Sequence, residues 1–236
     1  MIHTDKTNIE RELGELKINL KDGADIAIID SITDYPYIEN DFSDEKKIEM
    51  ITFHFENILK ILGLNLKDDS INKTPYRYAK MFVKELFSGL KHENFPKITT
   101  QKNKFKYDQM LVEANIKIQS VCEHHFVPIL GYCHIAYFPG DKVIGLSKLN
   151  RIGQYFARRP QVQERMTRQI KECLVEILDC EDVAVVIDAL HLCVRMRGIQ
   201  DSNALTRTSD FGGRFLQNDI RNEFLSTIPN LKDLKI

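Results

Sequence analysis

A chain of 236 residues, 43% of them apolar, is long enough to bury a substantial core, as one domain with an N-terminal extension or as two small domains. Its formal charge of -1 excludes a generally cationic surface of the kind that grips nucleic acid without regard to sequence, so an anionic ligand must meet a local cluster of Lys and Arg. The five cysteines are too few and odd in number for a disulfide framework, no apolar run reaches membrane-spanning length, and the start Met1-Ile-His-Thr-Asp-Lys lacks a signal-peptide pattern, so reduced thiols or metal thiolates in a cytoplasmic protein are expected.

Residues 1–45 are mixed and polar apart from the patch Ile26-Ala-Ile-Ile, and read as an arm, extended or partly disordered. Residues 46–105 read as a helical region. From Ile48 the apolar positions Ile51, Phe55, Ile58, Leu59 and Leu62 keep helical spacing up to a stop at Gly63. Thr74 as N-cap and Pro75 in the first turn open a second helix that runs through Phe82, Val83, Leu86 and Phe87 to Gly89. The pattern then changes. Ile116, Ile118, Ser120 and Cys122 alternate with Lys117, Gln119 and Val121, and Tyr132 to Phe138 is a second β-type run. Ser147 is a natural N-cap for a helix over Lys148 to Arg159. Val162, Met166, Ile170, Cys173, Leu174 and Ile177 form the apolar stripe of the next helix. Asp182 to Ala189 reads as a buried strand leading into Leu190–Arg197, and Thr206 to Phe215 as a further strand. The order is two strands, two helices, two strands, after an N-terminal helical portion. Cys133, Cys173 and Cys180 read as packing or incidental thiols.

Two patches carry chemistry: Cys122, His124 and His125 in Cys-Glu-His-His, and His191 and Cys193 in His-Leu-Cys. A structural zinc site is closed by four protein ligands, whereas a catalytic one uses three and keeps a position for water; five candidates suggest three ligands and two spare imidazoles suited to proton transfer. In the first patch, Cys122 and His125 can share one ion only if the backbone turns, which leaves His124 pointing elsewhere. The plain alternative is a structural clip. Leu190 to Arg197 alternates strictly, so as a strand it puts His191, Cys193, Arg195 and Arg197 on one face; an ordinary amphipathic strand has the same period. Lys148 and Arg151 share one edge at a helix start, where free N–H groups suit phosphate, though solvated surface charge gives the same spacing. Arg77 and Lys80 also share an edge. Gln163 and Glu164 lie in a first helical turn, off the apolar stripe, where a carboxylate can accept two parallel N–H bonds from a guanine edge or serve only the helix start.

In this order, Thr74-Pro-Tyr-Arg-Tyr-Ala-Lys-Met, Cys122-Glu-His-His, Gly145-Leu-Ser-Lys-Leu, Arg159-Pro-Gln-Val-Gln-Glu-Arg and His191-Leu-Cys resemble the GTP cyclohydrolase I family, over roughly Thr74 to Phe224. The resemblance implies an α+β tunnelling fold, an antiparallel sheet with two helices in a ββααββ unit, occupying residues 106–236 as the catalytic domain. It implies a toroidal homodecamer with sites between subunits, while the near-neutral charge and the lack of a spanning apolar run lead us to expect no nucleic-acid or membrane partner. The implied reaction is zinc-dependent opening of the imidazole ring of GTP at C8, giving formate and 7,8-dihydroneopterin triphosphate, the first step of pterin and folate synthesis. Carried over by motif, Cys122, His125 and Cys193 match the Zn2+ ligands, His124 and His191 the proton-handling histidines, and Ser147 a position near the ribose. Glu164 matches the guanine anchor, with Gln163 beside it. Lys148, Arg151 and Arg197 match triphosphate contacts, with Arg77 and Lys80 entering from a neighbouring subunit. The loop from Gln200 to Arg207 departs from the family pattern. A zinc-stabilised binding protein without turnover, and a deazapurine nitrile reductase with a cysteine nucleophile and NADPH, are the rival classes; the complete zinc set opposes the second.

Overall fold

The structure is a computed structural model and describes residues 24–38 and 40–230. Within the stretch read as an arm, Asp25 accepts the N–H groups of Ala27 and Ile28 and so caps a short helix, α1 (Ile26–Ile32), whose Ile26 and Ile29 are buried. Residues 1–23 of that stretch lie outside the described residues. The next helix, α2 (Asp44–Ile61), starts earlier than the apolar spacing suggests, because Ser43 accepts the N–H of Lys46 and Asp44 and Glu45 complement the first turn. It ends as expected: Gly63 sits at φ 81, and Leu64 N–H returns to the carbonyl of Leu59.

In α3 (Thr74–Met81), Lys73 occupies the N-cap position and Thr74 and Pro75 are the first two helical residues, so Thr74 does not cap it. Nor does the helix run on to Gly89. A π-turn over Phe82–Leu86 and a short 3-10 turn over Ser88–Leu90 replace it. Gly89 donates its N–H to the carbonyl of Arg158, and a Cβ there would stand 2.3 Å from the carbonyl oxygen of Tyr155, so the chain must leave the helix to make that approach.

After the short strand β1 (Thr100–Lys102) come β2 (Leu111–Cys122), β3 (Pro128–Tyr137) and β4 (Lys142–Ile144), then α4 (Leu146–Ala157), β5 (Pro160–Gln161) and α5 (Gln163–Leu178). Gly145, not Ser147, takes the N-cap position of α4 and accepts the N–H of Lys148. The chain continues through β6 (Val183–His191), a single helical turn α6 (Leu192–Arg195), β7 (Thr206–Phe211) and α7 (Asn218–Thr227). The main sheet has the order β5-β2-β3-β6-β7. It is mixed, not purely antiparallel, because β5 joins β2 in parallel while the other neighbours are antiparallel. The architecture is α+β.

Helices α4 and α5 cover one face of the sheet. Ile116, Ile118, Ile129, Cys133, Ile135, Val185 and Ile187 meet Leu149, Ile152, Phe156, Met166, Ile170, Cys173 and Leu174 there, all fully buried or nearly so. Each such Ile or Leu contributes about 1.5–3 kcal/mol on removal from water. Cys133 and Cys173 are packing residues, as read, and burial pushes both thiols well up. One expected strand ends early for lack of a neighbour. β7 stops at Phe211 because its last pair is with Ala184, after which Gly212 and Gly213 turn the chain into a 3-10 segment.

The opposite face of β6 carries Ala184 and Val186, packed against Phe215, Phe224 and Ile228, and then a charged pair. Arg207 Nε and Nη2 grip Asp188 Oδ1 and Oδ2 at 2.6 and 2.7 Å, and Nη2 also donates to the carbonyl of Pro229. A bulge at Asn115, at φ 61, turns its N–H onto His134 Nδ1, so His134 Nε2 faces Asp188 at 3.5 Å. Burial pushes the Asp188 carboxyl up, but the bonds and charges of Arg207 and His134 outweigh it and hold it below the usual range. A depressed carboxyl stabilises the fold above its unfolded value, about pH 4, and that stabilisation disappears as pH falls through the folded value. Arg207→Met is expected to cost about 2–3 kcal/mol at pH 7 in urea unfolding, since it strands a buried carboxylate. The difference from the parent should narrow on acidification below about pH 4; a gap independent of pH would remove Asp188 as its cause.

Candidate metal and active site

The first patch sits where β2 ends. Cys122 N–H donates to the carbonyl of Val127, Phe126 N–H donates back to the carbonyl of Cys122, and Phe126 takes φ 54, a left-handed conformation that closes the turn. Neighbouring elements hold the loop. Glu123 N–H donates to the carbonyl of Gln161 in β5, its carboxylate meets Arg165 Nη1 at 2.6 Å, and the Phe126 ring packs on Phe82 and Phe87. Phe126, Glu123 and Arg165 shape this turn, yet the sequence reading passed over them. A non-glycine left-handed residue and an ion pair across 42 positions leave no local pattern to find.

The second patch corrects the strand reading of Leu190–Arg197. β6 ends at His191, whose partner is Ile129, one residue after β3 begins at the exposed Pro128. No neighbour extends beyond that point, so the chain coils into α6, closed by Met196 N–H to the carbonyl of Leu192. His191, Cys193, Arg195 and Arg197 therefore do not share a strand face. Coiling instead brings Cys193 to Cys122.

The ligand atoms of Cys122, His125 and Cys193 lie within 4.8 Å of one another. Tetrahedral zinc with sulfur at about 2.3 Å and nitrogen at about 2.0 Å needs edges of roughly 3.5–3.8 Å, so two thiols and an imidazole at this spacing fit the ion. Burial and the neighbouring Cys122 push the Cys193 thiol up, as expected for two sulfurs forced together. His125 Nε2 receives Arg197 Nη1 at 2.8 Å; a guanidinium only donates, so this nitrogen carries a lone pair. His124 does not point away. Its Nδ1 stays 3.8 Å from Cys122 Sγ, although it is not one of the three grouped donors.

Next to this group, His191 is half-buried, with Nε2 2.7 Å from Gln163 Oε1. Burial pushes its pKa down, and the charge of Glu164 pulls the other way, which places that carboxylate near the imidazole. Glu164 is exposed in the first turn of α5, whereas Gln163, expected off the apolar stripe, is buried against β6 and β7. The remaining predicted residues sit elsewhere. Ser147, Lys148 and Arg151 lie on the first turns of α4; Lys148 Nζ donates to the carbonyl of Lys97, and Arg151 faces a cleft of about 460 Å³ with Ser88, Asn94, Gln154 and Arg158. Arg77 and Lys80 are exposed on α3, where Tyr78 stacks on Phe55. A single chain thus brings together Cys122, His124, His125, Gln163, Glu164, His191, Cys193 and Arg197.

Comparison with known proteins shows the family. A profile of the GTP cyclohydrolase I family matches residues 51–229. The chain is 55% identical over 188 residues to GTP cyclohydrolase 1 of Flavobacterium johnsoniae, covering 80% of this chain and 84% of that protein. It is 51% identical over 191 residues to the same enzyme of Aeromonas salmonicida, with 80% and 88% covered. For the Haemophilus influenzae enzyme the figures are 47% over 203 residues, with 86% and 93% covered. Agreement of this extent across the segment that builds the Cys/His group establishes that the chain belongs to the GTP cyclohydrolase I family.

Proposed function

We propose that this protein hydrolyses GTP at C8, releasing formate and forming 7,8-dihydroneopterin triphosphate for pterin and folate synthesis, and that it holds one Zn2+ on Cys122, His125 and Cys193. The observation that carries the reading is the approach of those three donors beside His191 and Glu164, in a chain of this family. A zinc ion held by these three residues would supply a Lewis acid able to make hydroxide available near neutral pH. The protein's own residues supply the rest. Glu164, exposed at a helix start, binds the N–H edge of guanine. His124 and His191 carry protons to and from the opening ring and through the later ribose rearrangement, in which Ser147 assists. Lys148, Arg151 and Arg197, with Arg77 and Lys80 from a neighbouring copy, hold the triphosphate.

The same reading assigns the tunnelling fold and a toroidal homodecamer. Exposed Phe53, Ile58, Ile61 and Leu62 on and after α2 support association, since large apolar side chains left facing water suit burial against another copy. None of the described helices is long and apolar enough to cross a membrane.

Incubating zinc-loaded protein with GTP should release formate and a pterin that fluoresces after oxidation, in equal amounts; bound GTP with neither product would sink the proposal. The roles also separate by substitution. Cys193→Ser is expected to lower bound zinc well below one equivalent and abolish formate release, because only two of three ligands remain strong. His191→Ala should keep its zinc by elemental analysis and lose turnover roughly 100-fold or more. Full activity in a zinc-free Cys193→Ser protein would refute the ligand assignment.

A further inference from the structure

Gln163 is only 1% exposed, and every polar atom of its amide is committed within the protein. Its Nε2 lies 2.9 Å from the carbonyl oxygen of Ile187, 3.1 Å from that of Thr206 and 3.1 Å from Thr208 Oγ1. The two carbonyls can only accept. The hydroxyl is fixed as an acceptor too: Thr167 Oγ1 donates to the carbonyl of Gln163, so its lone pairs take the hydrogen of Thr208 at 2.6 Å, which leaves Thr208 Oγ1 to receive the amide. Three acceptors around one end orient the amide unambiguously and aim Oε1 at His191. That oxygen, 2.7 Å from His191 Nε2, demands a hydrogen from the ring.

We infer that Gln163 is a positioning residue, which holds His191 in the Nε2–H tautomer and leaves Nδ1 as the atom that exchanges protons with substrate. A neutral imidazole has one N–H and one lone pair, so an acceptor fixed against Nε2 decides both. The cost of the opposite tautomer is two lone pairs facing each other in a half-buried place, or the loss of the bonds that tie the amide across β6 and β7. This assignment differs from a guanine contact, for which Gln163 has no free polar atom. It rests on the proposed GTP chemistry only for its kinetic consequence; the tautomer itself stands on the hydrogen bonds.

Neutron diffraction from deuterated, zinc-loaded protein at about pH 8, above the usual histidine range, tests the tautomer directly. A deuteron on His191 Nε2, with the Gln163 deuterons directed at Ile187 and Thr206, is the expected result. A deuteron on Nδ1 and none on Nε2, or a reversed amide, overturns the inference whatever the enzyme does with GTP. The kinetic arm uses Gln163→Met, which fills the space without accepting. Gln163→Met should retain zinc and lose kcat roughly 100-fold with KM for GTP within about 2-fold. A raised KM with unchanged kcat in Gln163→Met would make Gln163 a substrate contact and overturn the positioning role. If the parent protein releases no formate at all, the functional proposal fails while the neutron result still decides the tautomer.

Discussion

Because β3 pairs antiparallel with β2 on one side and with β6 on the other, the C-terminal ends of β2 and β6 must lie at the same rim of the sheet, beside Pro128 where β3 begins. Val121 is opposite Pro128 and His191 opposite Ile129, so both flanking strands lose their central partner within a residue of each other. Each then leaves extended geometry, one into the Cys122–Val127 turn and the other into α6. Two thiols from distant segments meet because the ladder runs out for both at once. Register is therefore a condition of the metal group as much as of the core. A one-residue slip of β6 would bring Val185 and Ile187 to the wrong face and carry Cys193 away from Cys122.

The parallel bridge of β5 to Val121 and Cys122 brings a third element to this rim. It starts α5 there, and with it the amide of Gln163 and the carboxylate of Glu164. A buried cation secures the connection. Arg159 is fully enclosed, with Nε on the carbonyl of Gly89, Nη1 on Asp30 Oδ1 and Nη2 on the hydroxyl of Tyr155, among the rings of Tyr35, Tyr155 and Phe156. Burying a guanidinium is costly unless its donors are matched and its charge is paired, and here both conditions hold. The network reaches onward from Asp30 to Gln169 and Gln161, so α1, the turn at Gly89 and the start of α5 are tied into one polar seam. Glycine at 89 and aspartate at 30 are parts of that seam, not incidental loop residues.

Much of this was legible in the sequence wherever a pattern was local. The alternation of Ile116, Ile118 and Ser120 with Lys117 and Gln119, the stripe from Met166 to Ile177 and the stop at Gly63 each follow from one period or one backbone preference. Leu190–Arg197 defeated the same logic, because its alternation is real but a strand also needs a neighbour, and β3 starts too late to provide one. Ser147 and Thr74 failed as caps for a related reason: good capping residues stand one or two places inside helices that other contacts begin earlier. Arg207 looked like an isolated departure in a loop. Its meaning appears only when β7 lies beside β6 and sets its guanidinium on Asp188. The Cys/His group was visible as two motifs, but their meeting was a property of the topology.

The same geometry bears on how a complete site can form. Asn150, next to Arg151, donates to Glu113 near the start of β2, whereas Cys122 closes that strand nine residues later. At about 3.3 Å per residue the two points lie on the order of 25–30 Å apart, with the bulge at Asn115 shortening the path slightly. The long axis of α4, about 18 Å, runs between the same two ends of the sheet. Within one chain, Glu164 thus stands at one end of the sheet and the start of α4, with Lys148 and Arg151, at the other. On the proposed reading, that separation favours sites shared between chains over a site closed within one.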